Sequence, residues 1–128
     1  MTVPQDRRRT RSTDPLVALH YQLARVRLDG RLDAIVVADD SGVVVAGAGA
    51  WAVCEELAAY APLLAQADCC EPPQHADSRI AALRREVDVK PVEVEGHTVL
   101  LCARGGAARA SAMEDAARGV ARILKQAA

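Results

Sequence analysis

Apolar residues recur at helical spacing in the segment "TDPLVALHYQLARVRLDG", which predicts the first helix of the chain. Asp14 is placed to cap this helix, Pro15 suits its first position, and Gly30 is predicted to end it in the left-handed conformation. The residues that form its apolar face are Leu16, Leu19, Leu23 and Val26.

Two further segments show the same spacing. "AWAVCEELAAYAPLLAQAD" predicts a second helix from about residue 50 to residue 67, with Pro62 inside it. Its core-facing stripe comprises Cys54, Leu57, Ala58, Ala61, Leu64 and Ala65. In the last segment, Ser111-x-x-Glu114 has the form of a capping box that opens a third helix. That helix is predicted to bury Met113, Ala116, Val120 and either Ile123 or Leu124.

Between the first two helices, residues 32–38 and 43–46 are runs rich in β-branched residues, and "DDSG" between them is a strong turn signal. This pattern predicts a hairpin whose strands are apolar on both faces. Strands of this kind occur in a sheet that is covered by helices or that joins the sheet of another chain.

A second set of strands precedes the third helix. Val87 and Val89 alternate with polar residues, and Val92 and Val94 then alternate in the opposite phase. The change of phase at Pro91 predicts a bulge or a break between two short strands. Gly96 marks a turn before the last strand, "HTVLLCAR".

These elements predict an α+β fold in the order α-β-β-α-β-β-(β)-α. Its antiparallel sheet has four or five strands, with the helices packed on it. Residues 14–128 are expected to form a single domain. Residues 1–13, with Arg7, Arg8, Arg9 and Arg11, are expected to be a flexible basic arm, either solvated or in weak contact with an acidic partner or membrane surface.

The composition and net charge of the chain argue against some classes of function. The net charge of the 128 residues is −1, which argues against a nucleic-acid-binding protein. Aromatic residues are 2% of the chain and Phe is absent, so the core is built from Val, Leu, Ile and Ala. No apolar run has the length of a signal sequence or a transmembrane helix, and we predict a cytoplasmic protein whose four cysteines are thiols.

The segment "DCCEPPQHAD" brings Cys69, Cys70 and His75 within seven positions. A closed structural zinc site needs four ligands, and Cys54 lies about 22 Å away along a straight helix. We therefore predict a solvent-facing connection without metal, while a metal or redox site remains the alternative. Cys54 and Cys102 lie in apolar patterns and are predicted to be buried.

Catalytic motifs are missing from the sequence. "GAGA" and "RGGAAR" lack the lysine and Ser/Thr of a phosphate-binding loop, and no serine or His–Glu pair has the spacing of a hydrolase site. The sequence predicts a binding module that is not an enzyme and has no cofactor.

The chain resembles the roadblock / dynein light-chain family. The resemblance rests on "LDGRLDAIVVADDSGVVVAGAG" as the first hairpin, on the helix "EELAAYAPLLAQA", and on "VEVEGHTVLLCARGG" before the closing helix. It covers about residues 15–126. Pro62 and the Cys- and Pro-rich connection depart from the usual family pattern.

The resemblance implies a module without a catalytic site of its own. Family members form homo- or heterodimers in which strands of two chains join one sheet and the second helices lie side by side. Many are scaffolds or activators of Ras-like small GTPases, bacterial members often accompany such a GTPase, and others anchor dynein cargo. The expected partners are thus a second copy and a Ras-like GTPase, with no nucleic acid and no membrane insertion.

Two sets of site residues follow. The expected GTPase contact comprises Trp51, Glu55 and Glu56; alternatively, Trp51 closes one end of the core. The expected dimer contact comprises Leu57, Ala58, Tyr60, Ala61, Leu64, Val87 and Val89. The alternative function is a small-ligand or redox/metal sensor domain that uses the loop with Cys69, Cys70 and His75.

Overall fold

The computed structural model describes residues 14–69, 82, 83 and 85–127. The predicted arm, Cys70 and His75 lie outside these residues, and the division into arm and domain stays a prediction. The elements are α1 (Pro15–Gly30), β1 (Ala34–Ala38), β2 (Val44–Gly49), α2 (Trp51–Cys69), β3 (Val87–Val94), β4 (His97–Arg104) and α3 (Arg109–Ala127). The predicted order of helices and hairpins is confirmed.

The four strands form one antiparallel sheet in the order β2-β1-β4-β3. All five residues of β1 are buried, because α1 and α3 cover one face of the sheet and α2 covers the other. Ile35 and Val37 of β1 belong to the first of these cores, and Ala34, Val36 and Ala38 belong to the second. The strand β1, which is apolar on both faces, is thus covered by helices of its own chain, whereas β2 is mostly half-buried.

The apolar stripes of the helices are mostly buried as predicted. In α1, Leu19, Leu23 and Val26 are buried, whereas Leu16 is 50% exposed. In α3 the buried members are Met113, Ala116 and Val120, with Ile123 and Leu124 partly buried against the same core. In α2 the buried members are Cys54, Leu57, Ala58, Ala61 and Leu64.

Helix α1 begins as predicted but ends differently. Asp14 caps α1 as expected, since its Oδ1 accepts from the Val17 N–H at 3.3 Å. Gly30, however, is the last helical residue, and Arg31 adopts the left-handed conformation instead, with φ of 53°. A Cβ on Gly30 would lie 3.0 Å from the Ala112 Cβ, so the glycine allows α3 to approach α1 closely.

The predicted capping box at Ser111 is wrong. The helix α3 begins at Arg109, and the Ala108 carbonyl already accepts the Ala112 N–H at 3.1 Å. Ser111 therefore lies inside the first turn, where it cannot cap.

The first hairpin turns where "DDSG" predicted. One carboxylate oxygen of Asp39 accepts from the N–H groups of Ser41 at 2.8 Å and of Val43 at 3.0 Å, and Gly42 has a positive φ. The side chain of Asp39 thus organises the turn itself.

The predicted bulge or break at Pro91 is wrong. β3 pairs with β4 without interruption from Val87 to Val94. The apolar phase changes because the two ends of β3 lie under different helices: Val87 and Val89 face α2, whereas Val92 and Val94 face α1 and α3. One strand thus contributes to both cores.

No helix of the described residues is long and apolar enough to cross a membrane.

Candidate functional site

The outward face of α2 carries a row of residues spaced four apart. Trp51 is 55% exposed and Leu63 is 43% exposed. Glu55 and Ala59, which lie between them, are also exposed. Because positions four apart lie on the same helix face, these side chains form one row, which we call the α2 row.

A sharp junction between β2 and α2 positions Trp51. Gly49 ends β2 with φ of 113°, and a Cβ there would lie 2.7 Å from the Asp33 carbonyl oxygen. The Ala50 carbonyl then accepts the Cys54 N–H, so the helix starts at once. Trp51 is more than half exposed and does not close the core. Of the other two residues predicted for this contact, Glu55 is exposed and Glu56 is half-buried.

Most of the predicted dimer residues lie inside the chain's own core. Tyr60 and Val89 are half-buried at its boundary. The buried ones are Leu57, Ala58 and Ala61 at 0% exposure, Leu64 at 5% and Val87 at 6%. These side chains pack on the sheet because α2, among the described helices, is the one that covers this face. Ala59 and Leu63 are exposed candidates that were not predicted from the sequence, and the signal for them is their position at multiples of four residues from Trp51.

Val87 and Val89 have a second role through their backbone. β3 is an edge of the four-stranded sheet. The Glu86 carbonyl accepts from the Gly105 N–H at 3.3 Å, on the β4 side. Because backbone groups of successive residues alternate in direction, those of Val87, Val89, Pro91 and Glu93 point to the outer edge. Pro91 lacks an N–H, but at this outward position it removes no bond to β4, which explains the unbroken pairing.

Two ion pairs hold the start of this edge strand. Arg104 Nε lies 3.3 Å from Glu86 Oε2, and Arg109 Nε lies 3.3 Å from Asp88 Oδ2. Arg109 also donates to the Gly105 carbonyl at 3.4 Å. These pairs link the start of β3 to β4 and to the first turn of α3.

The two described free thiols are buried, as predicted. Burial raises the pKa of Cys54. Burial, with smaller effects of Asp88 and Cys54, raises the pKa of Cys102 to about 12. Neither thiol is suited to nucleophilic chemistry near neutral pH, because the thiolate is the reactive form. Cys69 is the last residue of α2, while Cys70 and His75 lie outside the described residues, so the loop without metal stays a prediction.

The architecture defines a class: helix–hairpin–helix–hairpin–helix on one antiparallel sheet, which is the plan that the roadblock resemblance predicts. Among solved structures, Myxococcus xanthus MglB superposes on 88% of this chain and 92% of its own with a TM-score of 0.53. The two sequences are 12% identical, so the likeness is one of fold. No protein-family model matches the sequence, and a comparison with curated proteins gives no match. The predicted roadblock-like fold is confirmed.

Proposed function

We propose that the protein is a non-catalytic, dimeric regulator that binds a Ras-like small GTPase. The observation that carries the proposal is the α2 row, in which an exposed tryptophan and an exposed leucine flank an acidic residue on one helix face. Large apolar and aromatic side chains that remain exposed on a helix are typical of protein–protein contacts. The roadblock-like fold supports the proposal of a Ras-like GTPase as the partner.

The dimer would form through β3 and α2. The outward N–H and C=O groups of Val87 and Val89 are available to pair with the same strand of a second copy, which would give one continuous sheet. Pro91 offers no outward N–H, so the pairing would be centred on the first half of β3. The exposed Ala59 provides a flat position at which two α2 helices could approach closely.

The charge of α2 indicates the kind of surface that it would meet. Residues 51–69 include Glu55, Glu56 and Asp68 and no Lys or Arg. The complementary surface of the GTPase should therefore be basic or neutral, and α2 has no arginine to insert next to the nucleotide. Stimulation of GTP hydrolysis would arise by repositioning the GTPase's own switch residues. The protein itself would need no cofactor and would act in the cytoplasm, where its thiols stay reduced.

The test is a binding measurement with the cognate Ras-like GTPase, loaded in turn with GDP and with a GTP analogue. We expect Trp51→Ala to weaken binding by about tenfold or more, as is typical for an interface tryptophan. The matched control is Val43→Ala, since Val43 is an equally exposed apolar residue, at 59%, on the first hairpin. Absence of binding in both nucleotide states would refute the proposal, whereas equal binding by the wild type and Trp51→Ala would remove the α2 row from it.

A further inference from the structure

Helix α1 has an apolar stripe on its outward side as well as on its core side. Tyr21 is 69% exposed and Leu28 is 70% exposed. With Val17, Ala24 and the polar His20 and Arg27 they line an open groove of about 510 Å³, which is bounded on its other side by residues 47–49 of β2. The inward residues of α1 pack in the core, which leaves Tyr21 and Leu28 exposed outside it.

The spacing of the stripe is the same in both directions. From Val17 to Tyr21 is four residues, from Tyr21 to Ala24 is three, and from Ala24 to Leu28 is four. Alternating steps of four and three form the seam along which two helices pack. A palindromic seam can pack against itself when the second helix runs in the opposite direction.

We propose that the α1 stripe binds the α1 stripe of a second copy in antiparallel orientation. In that register Val17 lies opposite Leu28, and Tyr21 lies opposite Ala24. The bulkiest side chain of the stripe therefore meets the smallest, and it does so twice because the contact is symmetric. This steric match identifies a second copy, rather than an unrelated segment, as the occupant of the groove.

Charges at the ends and flanks fit the same arrangement. Asp14 precedes the first turn of α1, and the exposed Arg31 follows its last turn, so the register brings Asp14 near Arg31 of the second copy. His20 Nδ1 lies 3.0 Å from the Gly47 carbonyl oxygen, and Arg27 Nε donates to the Asp33 carbonyl at 3.2 Å. Both side chains thus bond to their own chain while they line the floor of the groove beside the stripe. Arg25 and Asp29, also exposed, flank the stripe on its other side.

This contact lies on a different layer of the molecule from α2 and near the opposite sheet edge from β3. A seam of four residues is a small interface, and it should be weaker than a contact that joins two sheets. If the β3–α2 dimer of the proposed function also forms, the two symmetric contacts would alternate. The result would be a tetramer or a longer chain of copies.

The test is an engineered disulfide between the two ends of the seam. Val17→Cys and Leu28→Cys are combined in the full chain with Cys69→Ser and Cys70→Ser, so that the buried Cys54 and Cys102 are the native cysteines that remain. The two new cysteines lie eleven residues apart, about 16 Å along one helix, so they cannot pair within one chain. We expect covalent dimers on mild oxidation, with the 17–28 disulfide identified by mass spectrometry.

Leu28→Glu tests the α1 seam, and Leu63→Glu, on α2, is its matched control. Adding Leu28→Glu to wild type should weaken self-association through α1 about tenfold or more, as measured by sedimentation, because it places two carboxylates in an apolar seam. Adding Leu63→Glu to the two-cysteine variant should leave the 17–28 disulfide intact, since Leu63 lies on α2. Disulfides only between 17 and 17 or between 28 and 28 would show a parallel contact and overturn the proposal. No disulfide, together with unchanged sedimentation of Leu28→Glu, would also overturn it and assign the groove to another molecule; neither result bears on GTPase binding by α2.

Discussion

Gly49 shows how one residue determines the position of the α2 row. Its φ of 113° lies where side chains are disfavoured, and its missing Cβ leaves room for the Asp33 carbonyl. Gly96, in the turn between β3 and β4, also has a positive φ, of 81°, but has no atom within 4 Å of the same position. Comparing alanine substitutions at the two glycines therefore distinguishes the cost of backbone strain from the cost of steric overlap.

We predict that Gly49→Ala costs about 2–4 kcal/mol of unfolding free energy and Gly96→Ala about 1 kcal/mol, as measured by urea denaturation. Both substitutions place a side chain at positive φ, but only the first also forces a Cβ onto a carbonyl oxygen. Equal losses at the two positions would contradict this explanation of the β2–α2 junction.

Cys102 provides a pH-dependent test of the core. An unfolded chain releases its thiol proton near pH 9, whereas the folded chain retains it to about pH 12. Between these values the folded state binds more protons than the unfolded state, so the free energy of unfolding falls as the pH rises.

We predict that wild type loses up to about 1.4 kcal/mol per pH unit more than Cys102→Ala above pH 9, because the variant lacks this proton. Denaturation curves at intervals from pH 6 to pH 11 measure the difference. It should be constant below pH 8, where the thiol is protonated in both states. Parallel curves over the whole range would show that Cys102 is not shielded from ionisation.

At the scale of elements, α2 has two faces with different tasks. Ala58 is fully buried beneath the helix, while the adjacent Ala59 points away from the sheet. The sequence reasoning assigned Ala58 and Ala61 to a contact between chains because small residues allow close approach. In the structure, the surface that they approach is the chain's own sheet.

We predict that Ala58→Glu and Ala59→Glu have different outcomes. Ala58→Glu buries a carboxylate and should destabilise the fold by about 3 kcal/mol or more, seen as loss of helical circular dichroism or a lowered melting temperature. Ala59→Glu should keep the fold and shift the proposed dimer toward monomer in light scattering. A stable, monomeric Ala58→Glu variant, or a dimeric Ala59→Glu variant, would contradict this division of the helix.

For the whole molecule, the two faces of the sheet are covered unequally. Two helices, α1 and α3, pack on one face, and α2 packs on the other. The α2 side therefore exposes both a helix row and the adjoining edge strand β3, which suits a surface for two partners at once. The α1 side exposes Tyr21 and Leu28 of the palindromic seam. This asymmetry supports the proposal of one surface for the GTPase and the dimer and a second surface for further self-association.

The order of the elements and most of the core could be predicted from the sequence alone. Helix and strand periodicities depend on local side-chain patterns, and Leu19, Ile35 and Val120 are buried where those patterns place them. Cys102 was identified as buried for the same reason. The sequence left two alternatives for Trp51, because a tryptophan at the start of a helix can lie in a core as well as at an interface.

Tertiary structure decided which partner each apolar surface meets. Leu57 and Val87 are apolar in any context, and only the packing of α2 on the sheet shows that their side chains are buried within one chain. The alternation of apolar residues in β3 changes phase at Pro91 without a bulge. It does so because the two ends of this strand lie beneath different helices. Apolar character is a property of the sequence, but what covers an apolar residue depends on contacts between distant segments.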